Sequence, residues 1–108
     1  MPVNPQFKKG VLELCVLVLV KQKDQYGYEL AQNLTNQIAI AEGSLYPLLR
    51  RMTKDQYLRT YTAKSSEGPP RKYYQLSDLG EKYMEELISE WNVFQGSVNN
   101  LIKEATEG

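Results

Sequence analysis

Residues 42–52 read EGSLYPLLRRM, and the reading of Pro47 among them decides the fold. Leu45, Leu48, Leu49 and Met52 stand at i, i+3, i+4 and i+7, the spacing of one apolar helix face. A proline in a helix interior removes a hydrogen bond and collides with the preceding turn, at about 3 kcal/mol. The conflict disappears if Ser44 caps the helix. Leu45 is then N1, Tyr46 N2 and Pro47 N3, where a backbone N–H has no intrahelical partner to lose. The stretch is therefore predicted as the stiff first turn of a helix over 45–56.

On its N-terminal side, Pro5 to Lys23 keeps Phe7, Val11, Leu14, Cys15 and Val18 at helical spacing, with Pro5 suited to a first turn. The run is β-branched enough for a buried strand to compete, and its length decides for helix. A second helix is predicted from Tyr26 to Asn36, with Leu30, Ala31 and Leu34 inward. A short connection over 37–42 then leads to the helix at Leu45. Two short amphipathic helices joined this way outline a helix-turn-helix.

On the C-terminal side, LRTYTAK (58–64) and RKYYQL (71–76) read as strands separated by SSEGPP, with Gly68, Pro69 and Pro70 placed at the hairpin tip. The predicted fold is mainly α with a small β-hairpin, a winged helix-turn-helix over 1–76. A long helix over 77–108 completes one compact unit. Ser77 is its expected N-cap, with Asp78 and Glu81 in the first turn where the helix dipole favours negative charge. A helix reaching about Ala105 is roughly 42 Å long at 1.5 Å per residue. The rest of the chain makes a body only about 30 Å across, so part of the helix overhangs. The overhang carries Leu87, Trp91, Phe94, Val98, Leu101 and Ala105 at alternating spacings of four and three, a coiled-coil seam. Such a stripe needs a second chain, and a homodimer interface through Leu87, Trp91, Phe94, Val98 and Leu101 is expected.

Composition narrows the chemistry. The 108 residues contain no histidine and one cysteine, which removes the commonest general base and the commonest metal ligand and argues against a thiolate metal site, so no metal is expected. Cys15 reads as a small buried residue. No glycine-rich phosphate loop is present, and Glu85 and Glu86 read as a solvated helix face, so neither an enzyme nor a cofactor is expected. No leading basic-then-apolar segment and no run of about 20 apolar residues occur, which points to a cytoplasmic protein without a membrane span. Net charge is zero, yet residues 1–75 hold eleven Lys/Arg against six Asp/Glu and residues 76–108 hold two against seven. The first part therefore offers a basic surface and the last helix an acidic one.

A basic surface on a winged helix suits double-stranded DNA. The outward face of the third helix centres on Pro47, Arg50 and Lys54, flanked by Ser44, Tyr46 and Arg51. Arg50 is the candidate for a base contact, because a guanidinium can bond guanine O6 and N7 together. An ordinary solvated arginine is its other reading. Lys8 and Lys9 near the start, with Lys64, Arg71 and Lys72 around the wing, would complete a clamp on the phosphates. Tyr73 and Tyr74 read as one strand residue packed inward and its neighbour.

GYEL (27–30), GSLYPLLRRM (43–52), QYL (56–58) and GPPRKYYQLSDLG (68–80), in that order, resemble the PadR family of bacterial transcriptional regulators over nearly the whole chain. The single C-terminal helix is similar to the short branch of that family, and KQKDQYGYEL and SEW bring it near the branch's multidrug-binding repressors. The resemblance implies a dimeric repressor that leaves a pseudopalindromic operator when a small molecule binds, and gives Ser44 and Tyr46 DNA-contacting positions. It also implies a planar hydrophobic or cationic effector held in a pore at the dimer interface beside Trp91, with walls from Phe7, Gly10, Leu14, Phe94 and Gln95. Glu13 near the pore's edge would favour cations. From its seam position alone Trp91 reads first as plain packing between two chains, and only the resemblance favours the effector role; a winged-helix module that binds another protein through the seam is the alternative function. The chain departs from its relatives at the wing tip, where Ser65, Ser66, Glu67 and two prolines replace basic residues.

Overall fold

The computed structural model describes residues 5–107, with side chains from residue 9 onward. In chain order the elements are α1 (Pro5–Gln22), β1 (Gln25–Tyr26), α2 (Gly27–Thr35), a 3-10 turn (Glu42–Ser44), α3 (Leu45–Lys54), β2 (Leu58–Ser65), β3 (Gly68–Leu76) and α4 (Asp78–Glu107). This is the expected winged helix with a long final helix, plus one strand that the sequence did not betray. Gln25 and Tyr26 pair antiparallel with Tyr74 and Tyr73, so the hairpin becomes a three-stranded sheet in the order β1-β3-β2.

The competition between helix and strand for the first segment ends in an 18-residue helix, because Val16, Leu17 and Val20 fall on one face and bury together. They meet Leu30, Ala31 and Leu34 of α2, Leu45, Leu48, Leu49 and Met52 of α3, Leu58, Tyr74 and Met84 in one core. Each fully buried leucine there contributes about 1.5–3 kcal/mol of transfer free energy. Gln25 is buried too, and its polar atoms are all used. Its amide donates to the carbonyls of Leu19 (2.7 Å) and Lys23 (3.4 Å) and accepts from Asn33 (2.7 Å). One side chain thus ties the end of α1, β1 and α2. Cys15 is half-buried at the edge of this core rather than inside it.

Three chain reversals depart from or sharpen the sequence reading. Ser44 does not cap α3. Its backbone is already helical (φ −75°, ψ −20°) and its side chain makes no capping bond, because the 3-10 turn feeds straight into the α-helix, with the Ser44 N–H bonded to the Ala41 carbonyl at 3.0 Å. Pro47 nonetheless occupies the third position of α3, as expected. At the other end Gln56 takes the left-handed conformation (φ 69°), and the Tyr57 N–H reaches back to the Met52 carbonyl at 3.0 Å, a helix stop usually assigned to glycine.

The hairpin tip is tighter than expected. Ser66 and Glu67 alone form the turn, and Pro69 and Pro70 lie within β3, not at the tip. They are tolerated because the pairing slips between Ala63 and Ser65, so the missing N–H groups fall at an irregularity in the ladder. Gly68, with φ 146°, makes the corner.

Ser77 behaves as expected for a cap. Its hydroxyl accepts the Gly80 N–H at 2.9 Å and donates to the Gln56 and Tyr57 carbonyls at 2.6 and 3.0 Å. From there α4 runs for 30 residues, and the molecule measures 59 × 27 × 22 Å. Past Ile88, which still packs on the core, the helix carries Val93, Phe94, Val98, Leu101 and Ile102 exposed.

Candidate functional site

An amphipathic helix buries one face and offers the other. α3 buries Leu45, Leu48, Leu49 and Met52 and exposes Ser44, Tyr46, Pro47, Arg50 and Lys54. The leucines leave these polar groups only one direction to point. With no cap to form, the Ser44 hydroxyl is also available to an outside partner at the entrance of the helix.

The wing reaches this face through Tyr74. Its ring is buried beside Tyr46, and both lie within van der Waals reach of the space above Gly27, at 3.9 and 3.4 Å from where a Cβ would stand. Burial raises the Tyr74 pKa, Tyr46 raises it further, and the Arg50 cation opposes both. The Lys72 ammonium stands 5.6 Å from the Tyr74 ring centre. Tyr46 and Lys72 thus both border the buried Tyr74 ring at the junction of α3 and β3, with the Arg50 charge near enough to act on its phenol.

Arg71 does not join them. Successive strand residues point to opposite faces, and Arg71 lies on the far side of the sheet, its guanidinium 4.4 Å from the Tyr26 ring centre. Tyr26 meets Tyr73 edge-on at 5.7 Å, and Tyr73 stacks on Tyr61 at 5.5 Å. The Tyr61 hydroxyl donates to Asp24 at 2.7 Å, and that bond is the main cause raising the phenol's pKa. Nothing in the sequence marked Tyr26 for this role, since a two-residue strand shows no pattern. Lys64 is exposed on β2 and Lys9 is exposed on α1. The side chains of Phe7 and Lys8 lie outside the described residues.

Arg51, expected on the outward face, turns inward. Its Nη2 donates to Oε1 of Glu13 at 3.0 Å, and the Tyr83 hydroxyl donates to Oε2 of the same carboxylate at 2.8 Å. Glu13 is 6 % exposed. It is therefore committed to two protein partners and corrects the expectation that it faces a ligand. Burial first, and the bond to Glu13 second, push the Tyr83 phenol far above its ordinary pKa. Tyr83 also stacks on Tyr57 at 4.2 Å between ring centres.

Between α1 and the middle of α4 lies a cavity of about 310 Å³ lined by Gly10, Val11, Leu14, Leu87, Glu90, Trp91 and Phe94. Of the residues expected around an effector, Gly10, Leu14, Trp91 and Phe94 line it. Gln95 is not among the lining residues, and Val11 and Leu87 are. Glu90 supplies the acidic group that Glu13 does not. The sequence signal for Glu90 was its place beside Trp91 on the same helix turn. Among the described residues no cluster of histidine, cysteine or carboxylate side chains could hold a metal ion, and no helix is long and apolar enough to cross a membrane.

Residues 16–86 match the profile of the Transcriptional regulator PadR-like family. A solved PadR-like transcriptional regulator from Bacillus cereus is 42 % identical, with a TM-score of 0.82 over 91 % of this chain and 97 % of that one. A solved Streptococcus mutans protein is 35 % identical, with a TM-score of 0.83 over 95 % of this chain and 92 % of that one. An uncharacterized protein from Lysinibacillus sphaericus is 37 % identical over 87 residues, 77 % of this chain and 80 % of its own length.

Proposed function

The chain belongs to the PadR-like family of transcriptional regulators, and from that membership we propose a homodimeric repressor that grips a pseudopalindromic operator. It would release that operator when a flat hydrophobic compound enters the cavity between α1 and α4. The observation that carries the DNA reading is the exposed face of α3, Ser44, Tyr46, Arg50 and Lys54, opposite four buried core residues. Helix-turn-helix proteins place such a face in the major groove, with base contacts from its N-terminal part. Arg50 is the side chain for a guanine edge. Lys72, with Lys64 and Lys9, would hold phosphates and fix the register.

The exposed apolar residues on the free half of α4 support a second copy as their cover. A seam of Val98, Leu101 and their neighbours repeats at the coiled-coil interval, which a symmetric pair of identical helices satisfies on both sides at once. Two recognition helices would then meet half-sites about 34 Å apart, one turn of DNA.

The cavity, at about 310 Å³, lies at the lower end of the range for small-molecule sites. Trp91 offers a flat apolar wall and Glu90 an acid, a combination that favours planar cations. An effector acts only by binding the DNA-incompetent dimer better than the competent one.

A gel shift with DNA from upstream of the protein's own gene tests the reading at low salt. Retardation that Arg50→Ala abolishes is the expected result. No retardation would instead favour a winged-helix module that docks another protein on α4. Trp91 fluorescence tests the effector, with quenching by a planar cationic dye expected in the wild type. Absence of quenching by any such dye would remove the effector from the proposal.

A further inference from the structure

Glu13 continues a buried face. It stands three and four residues before Val16 and Leu17 on α1, both fully buried, where an apolar side chain would serve stability as well or better. Glu13 is the buried member of the pair and the Arg51 side chain stays 38 % exposed, and replacing buried ionic groups by well-packed apolar ones is often neutral or stabilising. What a carboxylate adds at such a place is direction. Its two oxygens fix two donors at hydrogen-bond geometry, one from Arg51 at 3.0 Å and one from Tyr83 at 2.8 Å. Those donors come from α3 and α4, 38 and 70 residues away in sequence. Arg51 follows Arg50 on the recognition helix. Tyr83 in turn stacks on Tyr57, just past the end of α3.

We infer that Glu13 is a positioning residue that sets the angle of α3 against α4 and thereby the half-site spacing that the dimer accepts. The inference rests on the dimeric DNA-binding reading. With α4 as the joint between two copies, any rotation of α3 about α4 is repeated by the two-fold symmetry in the second copy, and the distance between the two recognition helices changes. Apolar packing alone resists such rotation weakly, since sliding contacts are not directional. Two charge-assisted bonds on one rigid carboxylate resist it in both directions.

The probe is the duplex that the wild-type protein selects from a random-sequence library, rebuilt with its half-sites one base pair closer and one base pair farther apart. The variants are Glu13→Gln and a triple apolar replacement, Glu13→Met with Arg51→Met and Tyr83→Phe. The wild type should lose about tenfold in affinity for either altered spacing, the scale of one mismatched pair. The triple variant, at an equal or higher thermal midpoint, should lose less than about threefold on the same scale. Glu13→Gln, which keeps the volume and one acceptor, should fall between. A triple variant that discriminates spacing like the wild type overturns the inference, and so does a Glu13→Gln protein with unchanged discrimination if the triple variant fails to fold. If the wild type selects no sequence, the DNA reading is what has failed. The latch is then read by hydrogen exchange in the free protein. The α3 amides of residues 48–54 should exchange faster in Glu13→Gln, and unchanged exchange there overturns the positioning role by itself.

Discussion

A Cβ added to Gly80 would stand 2.0 Å from the carbonyl oxygen of Tyr57. The first turn of α4 is pressed against the backbone that leaves α3, and Ser77 locks it there by bonding both sides. Overpacking a well-filled site costs about 1–3 kcal/mol, and here the obstacle is backbone that cannot swing aside. Gly80→Ala should therefore destabilise by at least about 2 kcal/mol, measured as a lower denaturation midpoint. A Gly80→Ala protein as stable as the wild type would contradict this close approach.

The stop of α3 predicts the opposite sign. Gln56 holds a left-handed backbone that costs a side-chain-bearing residue about 1 kcal/mol, whereas glycine adopts it freely. Its role as acceptor for Ser77 is played by its carbonyl and survives substitution. Gln56→Gly should raise stability by about 0.5–1 kcal/mol, visible as a higher melting temperature.

Tyr83 predicts a pH dependence. Its folded-state pKa is raised above the ordinary value near 10, so above that pH the unfolded chain releases a proton that the folded one keeps. Stability from this group is complete below about pH 10 and falls as pH rises beyond it. Thermal denaturation between pH 9 and 11.5 should show a falling midpoint, and Tyr83→Phe should make the fall shallower. An equal slope in both proteins would mean that Tyr83 ionises alike in both states.

The two faces of β3 predict unequal wing contributions. Lys72 lies over the Tyr74 ring, and Arg71 lies stacked on Tyr26 on the other side. Each phosphate contact adds about 0.9 to the slope of log affinity against log salt. Lys72→Ala should lower that slope by about one, and Arg71→Ala by less. The reverse order would place DNA against the outer face of the sheet.

The seam predicts an assembly. Leu101 is 67 % exposed, so a charge there costs the isolated subunit little. In a paired seam it would be desolvated against its own copy. Leu101→Glu should convert a dimeric mass in light scattering to a monomeric one while leaving helix content unchanged. A wild-type mass of one subunit would leave the α4 seam without its proposed occupant.

Periodicity made most of this architecture readable. The leucines of α3, the tyrosine-rich strands and the acidic start of α4 each carry a pattern longer than their own uncertainty. β1 escaped because two residues hold no pattern, and its existence depends on Tyr73 and Tyr74 arriving 47 to 49 positions later. Ser44 was misjudged because a 3-10 turn before a helix leaves no compositional mark, and a serine there looks like a cap. The partners of Glu13 could not be read at all. A lone acid on an apolar face tells of a demand for a donor, and only tertiary structure says that Arg51 and Tyr83 answer it. Arg71 and Lys72 were half-legible. Adjacent strand residues must diverge, and which of them meets α3 follows only from the burial of Tyr74.

β2 is the longer of the sheet's two edge strands, so one side of residues 58–65 has no strand partner for its amide and carbonyl groups. Such an edge can recruit a strand from another molecule. The slip in pairing between Ala63 and Ser65 twists its far end out of line, and Arg59 and Lys64 stand exposed along it. Two wings brought edge to edge would have to bury like charges against each other. The basic residues of the wing thus disfavour edge-to-edge zipping into aggregates, an effect that continues when no DNA is present.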